Sequence, residues 1–285
     1  MSELDTLLVS TEWLAEHLES PELVVLDCTV WLDWGDDGWI ARSGREHWEA
    51  AHIPGAGFAD LTGDLCDADS PLRFAVPTPA AFCDAMGRLG VGDSSQVVLY
   101  DANSAMWAAR VWWMLRWAGF DRAAILDGGF DAWKNSGSSV TTEVVAPPPQ
   151  VHTPRPRPEL VADRHEVQAA IDNAAVCLID ALPEAVYRGD VSAYRRPGHI
   201  PGATNTPAAG LIDPDTGRFR PRDELRAQFP ADSGKRTITY CGGGIAASAD
   251  AFALTLLGHR DVAVYAASLQ EWADDPDTPL VTGPS

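Results

Sequence analysis

Apolar residues in this chain fall into short dense runs, separated by stretches in which they recur every three or four positions. The runs Val24-Val25-Leu26-Asp27-Cys28 and Val97-Val98-Leu99-Tyr100-Asp101 read as buried strands, as do Val176-Cys177-Leu178-Ile179-Asp180 and Thr237-Ile238-Thr239-Tyr240-Cys241. After Cys241, the residues Ala249, Phe252, Ala253, Leu256 and Leu257 share one face of a helix; after Asp101, Trp107, Val111, Met114, Leu115 and Ala118 do much the same. Gly119 and Gly258 stand where each helix should stop. Strands alternating with helices predict an α/β fold whose sheet is mainly parallel and covered by helices on both faces.

The pattern is written twice. Asp27 has its counterpart in Asp180. Ala51-His52-Ile53-Pro54-Gly55-Ala56 returns as Gly198-His199-Ile200-Pro201-Gly202-Ala203, Asp101 as Cys241, and Asp127-Gly128-Gly129-Phe130-Asp131-Ala132-Trp133 as Ala266-Ala267-Ser268-Leu269-Gln270-Glu271-Trp272. The separation shrinks steadily along the chain, from 153 residues at Asp27/Asp180 to 147 at His52/His199, 140 at Asp101/Cys241 and 139 at Trp133/Trp272. Ordered matches with a drifting offset indicate a duplicated domain whose loops have changed length. Pro147, Pro148, Pro149, Pro154, Pro156 and Pro158 cannot sit in a helix and favour an extended course. The expected organisation is a first domain over 1–145, a linker over 146–159 and a second domain over 160–285.

Composition narrows the functional classes. Among 285 residues, 21 Lys and Arg face 41 Asp and Glu, a formal charge of −20 that repels phosphate backbones and anionic lipid, so neither nucleic acid nor membrane is an expected partner. The five cysteines (Cys28, Cys66, Cys83, Cys177, Cys241) are scattered and include no CxxC pair, which predicts no disulfide framework, no metal site and a reducing, cytoplasmic location.

Chemistry concentrates at Cys241-Gly242-Gly243-Gly244-Ile245-Ala246-Ala247-Ser248. A strand ends, three glycines follow, and a helix begins. Consecutive glycines let the backbone curl so that several N–H groups point inward, and the helix terminus adds partial positive charge. A thiol at the carboxyl end of a parallel strand, beside such a loop, is placed for nucleophilic work on an anionic ligand. The competing reading of a lone cysteine as a small buried hydrophobe does not account for the three glycines. His52 and His199 recur in both copies, only one of which has the cysteine; they read as structural, fixing the turns into Pro54 and Pro201. Asp27 and Asp180 read as holders of backbone N–H groups for the same reason.

Taken together, the paired His-Ile-Pro-Gly-Ala motifs, Arg110-Val111-Trp112-Trp113-Met114, Leu126-Asp127-Gly128-Gly129-Phe130 with Trp133, Cys241-Gly242-Gly243-Gly244 and the closing Glu271-Trp272 segment resemble the tandem rhodanese and mercaptopyruvate sulfurtransferase family from about Ser10 to Leu280. The resemblance implies two rhodanese-like domains, with the cysteine only in the second; Asp101 stands in its place in the first. It further implies transfer of sulfur from a small-molecule donor (thiosulfate as first choice of type, 3-mercaptopyruvate as second) to cyanide or a thiol through a persulfide on Cys241. The sulfur would be cradled by N–H groups of Gly242, Gly243, Gly244, Ile245, Ala246 and Ala247, with no metal or organic cofactor. A protein acceptor is compatible with the same chemistry.

The chain also departs from the family. Thiosulfate-using members resemble Cys-Arg-Lys-Gly at the loop and mercaptopyruvate-using members Cys-Gly-Ser-Gly, whereas Gly242 and Gly243 carry no side chains. Val186 stands where an anion-binding Arg is usual, Phe74 where the mercaptopyruvate group tends to have His, and Ala266-Ala267 where Asp-Gly precedes the last-loop Ser. Arg188 is then the leading candidate to bind the donor, ahead of Arg195 and Arg196. Weak thiosulfate turnover is expected, and Gly242→Arg with Gly243→Lys should improve it provided both positions have backbone angles open to non-glycine residues. The related phosphatase and arsenate reductase loops need an Arg where Ala247 stands. A non-catalytic binding or regulatory protein is the alternative reading.

Overall fold

The computed structural model describes residues 6–35, 38–230 and 234–284, which form two compact units. The first runs to Ala68 and adds Val76–Arg157 and Asp213–Phe219; the second comprises Asp69–Ala75, Pro158–Ile212 and the chain from Arg220 onward.

The first unit contains β1 (Leu8–Val9), α1 (Thr11–His17), β2 (Leu23–Asp27), β3 (Val30–Gly35), β4 (Gly38–Ser43), α2 (Arg45–Ala50) and β5 (Gly57–Phe58), followed by α3 (Pro79–Arg88), β6 (Gln96–Tyr100), α4 (Met106–Trp117), β7 (Ala123–Leu126) and α5 (Gly129–Asn135). Its main sheet has the order β1-β7-β6-β2-β5 and is parallel throughout. β3 and β4 form a separate antiparallel hairpin. The second unit contains α6 (Arg164–Ala170), β8 (Val176–Asp180), α7 (Glu184–Tyr187), β9 (Thr204–Asn205), α8 (Arg222–Gln228), β10 (Arg236–Tyr240), α9 (Ile245–Leu257), β11 (Val262–Val264) and α10 (Ser268–Trp272). Its sheet, β11-β10-β8-β9, is also parallel. A single parallel bridge from Val161 to Val264 takes the place that β1 holds beside β7.

All four predicted strands form, and the central pair in each unit (β2 with β6, β8 with β10) is buried along its carboxyl-terminal part. Strands closed off from water on both faces must be apolar on both, which is why they read as continuous runs. The helices end where the glycines foretold. Gly119 and Gly258 adopt φ of +97° and +100°, and the N–H that follows each donates back to Leu115 and Leu254.

The repeated histidines have one structural job in each unit. His52 and His199 are buried, and each pairs by two backbone hydrogen bonds with an extended residue, Thr141 or Val281. Their Nδ1 atoms lie 2.7 Å from the carbonyls of Trp48 and Tyr187. Trp133 and Trp272 are likewise buried twins, each donating its ring N–H to a carbonyl, of Ser139 and Pro279. Burial of side chains this large contributes on the order of 2–3 kcal/mol each.

The proline-rich stretch is not a free tether. Residues between the prolines still have donors and acceptors: Gln150 N–H donates to Gly87 O (2.9 Å), Arg155 N–H to Ala118 O (2.8 Å) and Arg157 N–H to Trp117 O (2.8 Å), while Val151 O accepts from Asp93 N–H. The segment is thereby bound along the first unit. Nor did the repeat signal the two short exchanged segments. Asp213–Phe219 belongs to the first unit, where Asp127 accepts from Phe219 N–H at 2.9 Å, and Asp69–Ala75 to the second.

Candidate active site

β10 lies between β11 and β8 and delivers Cys241 to its carboxyl end. The next turn is set by Gly244, whose φ of +81° and ψ of 0° are left-handed and cap α9. That conformation aims the Gly244 N–H at the Cys241 sulfur, 3.1 Å away. The N–H groups of Ile245, Ala246 and Ala247 open the helix and have no acceptor within its first turn. Ser248 Oγ donates to Gly244 O at 2.7 Å and tightens the start of α9.

A second segment clamps the loop from the other side. Cys241 N–H donates to Ser268 Oγ (3.0 Å), which itself donates to Tyr265 O (2.6 Å). Leu269 N–H donates to Cys241 O and Gln270 N–H to Gly242 O, both at 3.0 Å. Ser268 holds φ of +54°, a region costly for a residue with a Cβ. Its counterpart Gly129 has φ of +58° at no such cost. The hydroxyl that fixes the Cys241 backbone offsets the strain. Gln270 then joins its side chain to the exchanged segment, accepting from Arg73 N–H at 3.0 Å and donating to Arg73 O at 2.9 Å. A cation, Arg73, is thus carried within electrostatic range of Tyr194, with its backbone carbonyl beside Gly243.

The first unit displays what such a loop does with an anion. Asp101 Oδ1 accepts from the N–H groups of Asn103, Ser104 and Ala105, and Oδ2 from those of Trp107 and Ala108, at 2.9–3.1 Å. Ala105 is the left-handed cap there, with φ of +57°, as Gly244 is in the second unit. Asp101 is four residues from its cap and Cys241 three from its own, which is the one-residue step in the repeat offset from 140 to 139. One loop is closed on its own carboxylate; the other presents its N–H groups beside a thiol.

The remaining candidates sort clearly. Arg188, the expected donor-binding cation, is in a surface ion pair with Glu184 at 3.0 Å and Asp190 at 3.8 Å, and among the described residues its ion pairs do not include the Cys241 loop. The reason is local: with Glu184 one turn earlier on α7, the guanidinium finds a partner on its own helix. Arg195 pairs with Asp274 at the surface. Arg196 gives its donors to the carbonyls of Trp272, Ala273, Asp275 and Thr278, a structural clamp on the C-terminal loop. Asp27 and Asp180 hold the backbone N–H of Thr29 and Leu182, both at 2.8 Å. Burial pushes their carboxyls up, to about 6 and about 7. Burial also pushes up the thiols of Cys28, Cys66, Cys83 and Cys177, which disfavours them as nucleophiles. Sequence reasoning missed Arg73, Gln270, the strained Ser268 and Tyr194. Only the Ser carried a signal, since it replaces a glycine of the repeat.

The Rhodanese-like domain model matches residues 10–136 and again 163–275. A probable 3-mercaptopyruvate sulfurtransferase of Pseudomonas aeruginosa is 36% identical, over 97% of this chain and 98% of that protein. The 3-mercaptopyruvate sulfurtransferase of Escherichia coli is 33% identical over 96% and 98%, and the thiosulfate sulfurtransferase of Rattus norvegicus 33% over 98% and 96%. The crystal structure of the Escherichia coli 3-mercaptopyruvate sulfurtransferase SseA superposes with a TM-score of 0.82, at 33% identity, over 92% of this chain and 98% of that one. Two matched domains, full-length relatives and a shared fold lead to one assignment: the chain belongs to the rhodanese family, as a sulfurtransferase of two rhodanese-like domains.

Proposed function

We propose that Cys241 is the nucleophile of a double displacement, and that its preferred donor is a small monoanionic thiol of the 3-mercaptopyruvate kind rather than thiosulfate. The Cys241 thiolate attacks the donor's sulfur. The C–S bond breaks, its electron pair goes to carbon, and the donor's thiol proton ends on that carbon. Cys241 is left as a persulfide. With thiosulfate the S–S bond breaks instead and sulfite leaves with the pair. Cyanide or a thiol, free or on a protein, then attacks the outer sulfur and the electron pair returns to Cys241.

The observation that carries this reading is the Gly244 N–H on the Cys241 sulfur, at the head of a helix whose first N–H groups face the same loop. Preorganised donors of this kind stabilise charge on a transferring sulfur without a metal. The Asp101 loop supports it, since the same turn there holds an anion by five N–H groups. Donor preference follows from charge. Gly242 and Gly243 bring no cation, and each charge-assisted contact contributes roughly 1.5–3 kcal/mol. Lacking two of them weakens recognition of a dianion by more than about tenfold. A reducing, cytoplasmic location is part of this reading, since the five scattered cysteines include no CxxC pair.

Steady-state kinetics with cyanide as acceptor test the preference. The expected result is a kcat/KM for 3-mercaptopyruvate at least about tenfold above that for thiosulfate, with thiosulfate failing on KM. Equal values for the two donors would contradict it.

A further inference from the structure

The missing side chain at position 242 does not leave open space. A Cβ built on Gly242 would fall 1.7 Å from the Tyr194 hydroxyl oxygen and 2.7 Å from Cζ. The Gly242 backbone is outside the left-handed region, so its conformation would admit any residue; what a side chain there would meet is the phenol, which would have to move. Arginine at 242 is therefore no simple addition of charge, contrary to the sequence-based expectation. Position 243 is different: a Cβ there would lie 3.1 Å from Gln270 Nε2 and 3.5 Å from Arg73 O, tight but against a movable amide.

The Tyr194 ring packs against the core of the second unit and brings its hydroxyl to the residue after the nucleophile. We infer that Tyr194 supplies, from outside the loop, the polar group the loop lacks: its hydroxyl occupies the place of a residue-242 side chain and donates a hydrogen bond to the anionic end of the sulfur donor. Burial first, then the neighbouring Cys241 and Asp180, hold the phenol above the usual tyrosine range, with Arg73 opposing, so it stays a neutral donor at working pH. A neutral O–H suits a carboxylate oxygen that also meets one cation better than it suits a dianion needing two charges. The inference rests on the persulfide reading and adds to it the residue that selects the donor.

Two variants and their combination test it. Tyr194→Phe keeps the ring and removes the donor; the expected result is a rise of about tenfold in KM for 3-mercaptopyruvate, with kcat changed much less and one sulfur still loaded per Cys241. Gly242→Ser should be strongly impaired because the new Cβ displaces the phenol. Adding Tyr194→Ala to Gly242→Ser should restore at least about tenfold of the lost kcat/KM, a coupling expected only of groups sharing one space. A Tyr194→Phe enzyme with wild-type KM, or a double variant no better than Gly242→Ser, would overturn the assignment while Cys241 still loads sulfur. A wild type that never loads Cys241 would instead remove the persulfide reading beneath it.

Discussion

Asp250, in the second turn of α9, is fully buried, and neither carboxylate oxygen has a hydrogen-bond partner among the described residues. Burial, reinforced by the negative charge of Asp180, pushes its carboxyl well above the ordinary range and so favours its neutral form in the folded protein. A carboxyl raised on folding stabilises fully only below its unfolded value near 4; that contribution declines as pH rises toward the folded value. Asp250→Val should therefore raise the melting temperature at neutral pH, by relief of a buried unsatisfied group worth about 1–3 kcal/mol. The gap between variant and wild type should widen from pH 4 upward. Thermal melts across that range check it, and a variant melting below wild type at pH 7 would show that Asp250 has a stabilising partner. The apolar pattern of α9 gave no warning of this carboxylate, because a single polar residue within an otherwise buried face leaves the periodicity intact.

At the scale of elements, the strand–loop–helix unit β10–α9 combines a buried strand, a left-handed cap and a 13-residue helix. Its sister β6–α4 has the same parts with Ala105 at the cap, so the fold accepts a Cβ in that conformation. Gly244→Ala should consequently fold and still load sulfur, but at a cost of about 1–2 kcal/mol for the left-handed alanine, or a melting point lowered by roughly 2–8 °C. Calorimetry and sulfur loading of the variant decide; failure to fold would mean the two loops are not equivalent. This equivalence was legible in the chain. The glycines at 242–244, the paired Asp101 and Cys241, and even the single-residue change in loop length are present in the repeat. Arg73 and Tyr194 were not legible. Arg73 reaches the site on an exchanged segment that breaks the repeat. Tyr194 matters only because the space beside Gly242 is already filled, and spacing carries no information about occupied space.

Across the whole molecule, the two copies keep one plan and differ at the loop that follows the central strand. Four strands of each sheet follow one order, and the two units share one histidine-anchored turn and one tryptophan anchor. In the first the loop is closed by the Asp101 carboxylate, which cannot attack sulfur; in the second Cys241 stands at that place. Fold class and duplication could be read from the sequence because core strands and glycine caps must obey local rules. The exchange of Asp69–Ala75 and Asp213–Phe219 could not, since it depends on where chain segments find acceptors such as Asp127 and Gln270. The central claim is that Cys241 carries the transferred sulfur. Its most direct test is the intact mass of the protein after incubation with 3-mercaptopyruvate and removal of excess donor, for the wild type and for Cys241→Ser. One added sulfur atom on the wild type, located on Cys241, lost on adding cyanide and absent from Cys241→Ser, is the predicted result; an unmodified wild type, or sulfur retained by Cys241→Ser, would contradict it.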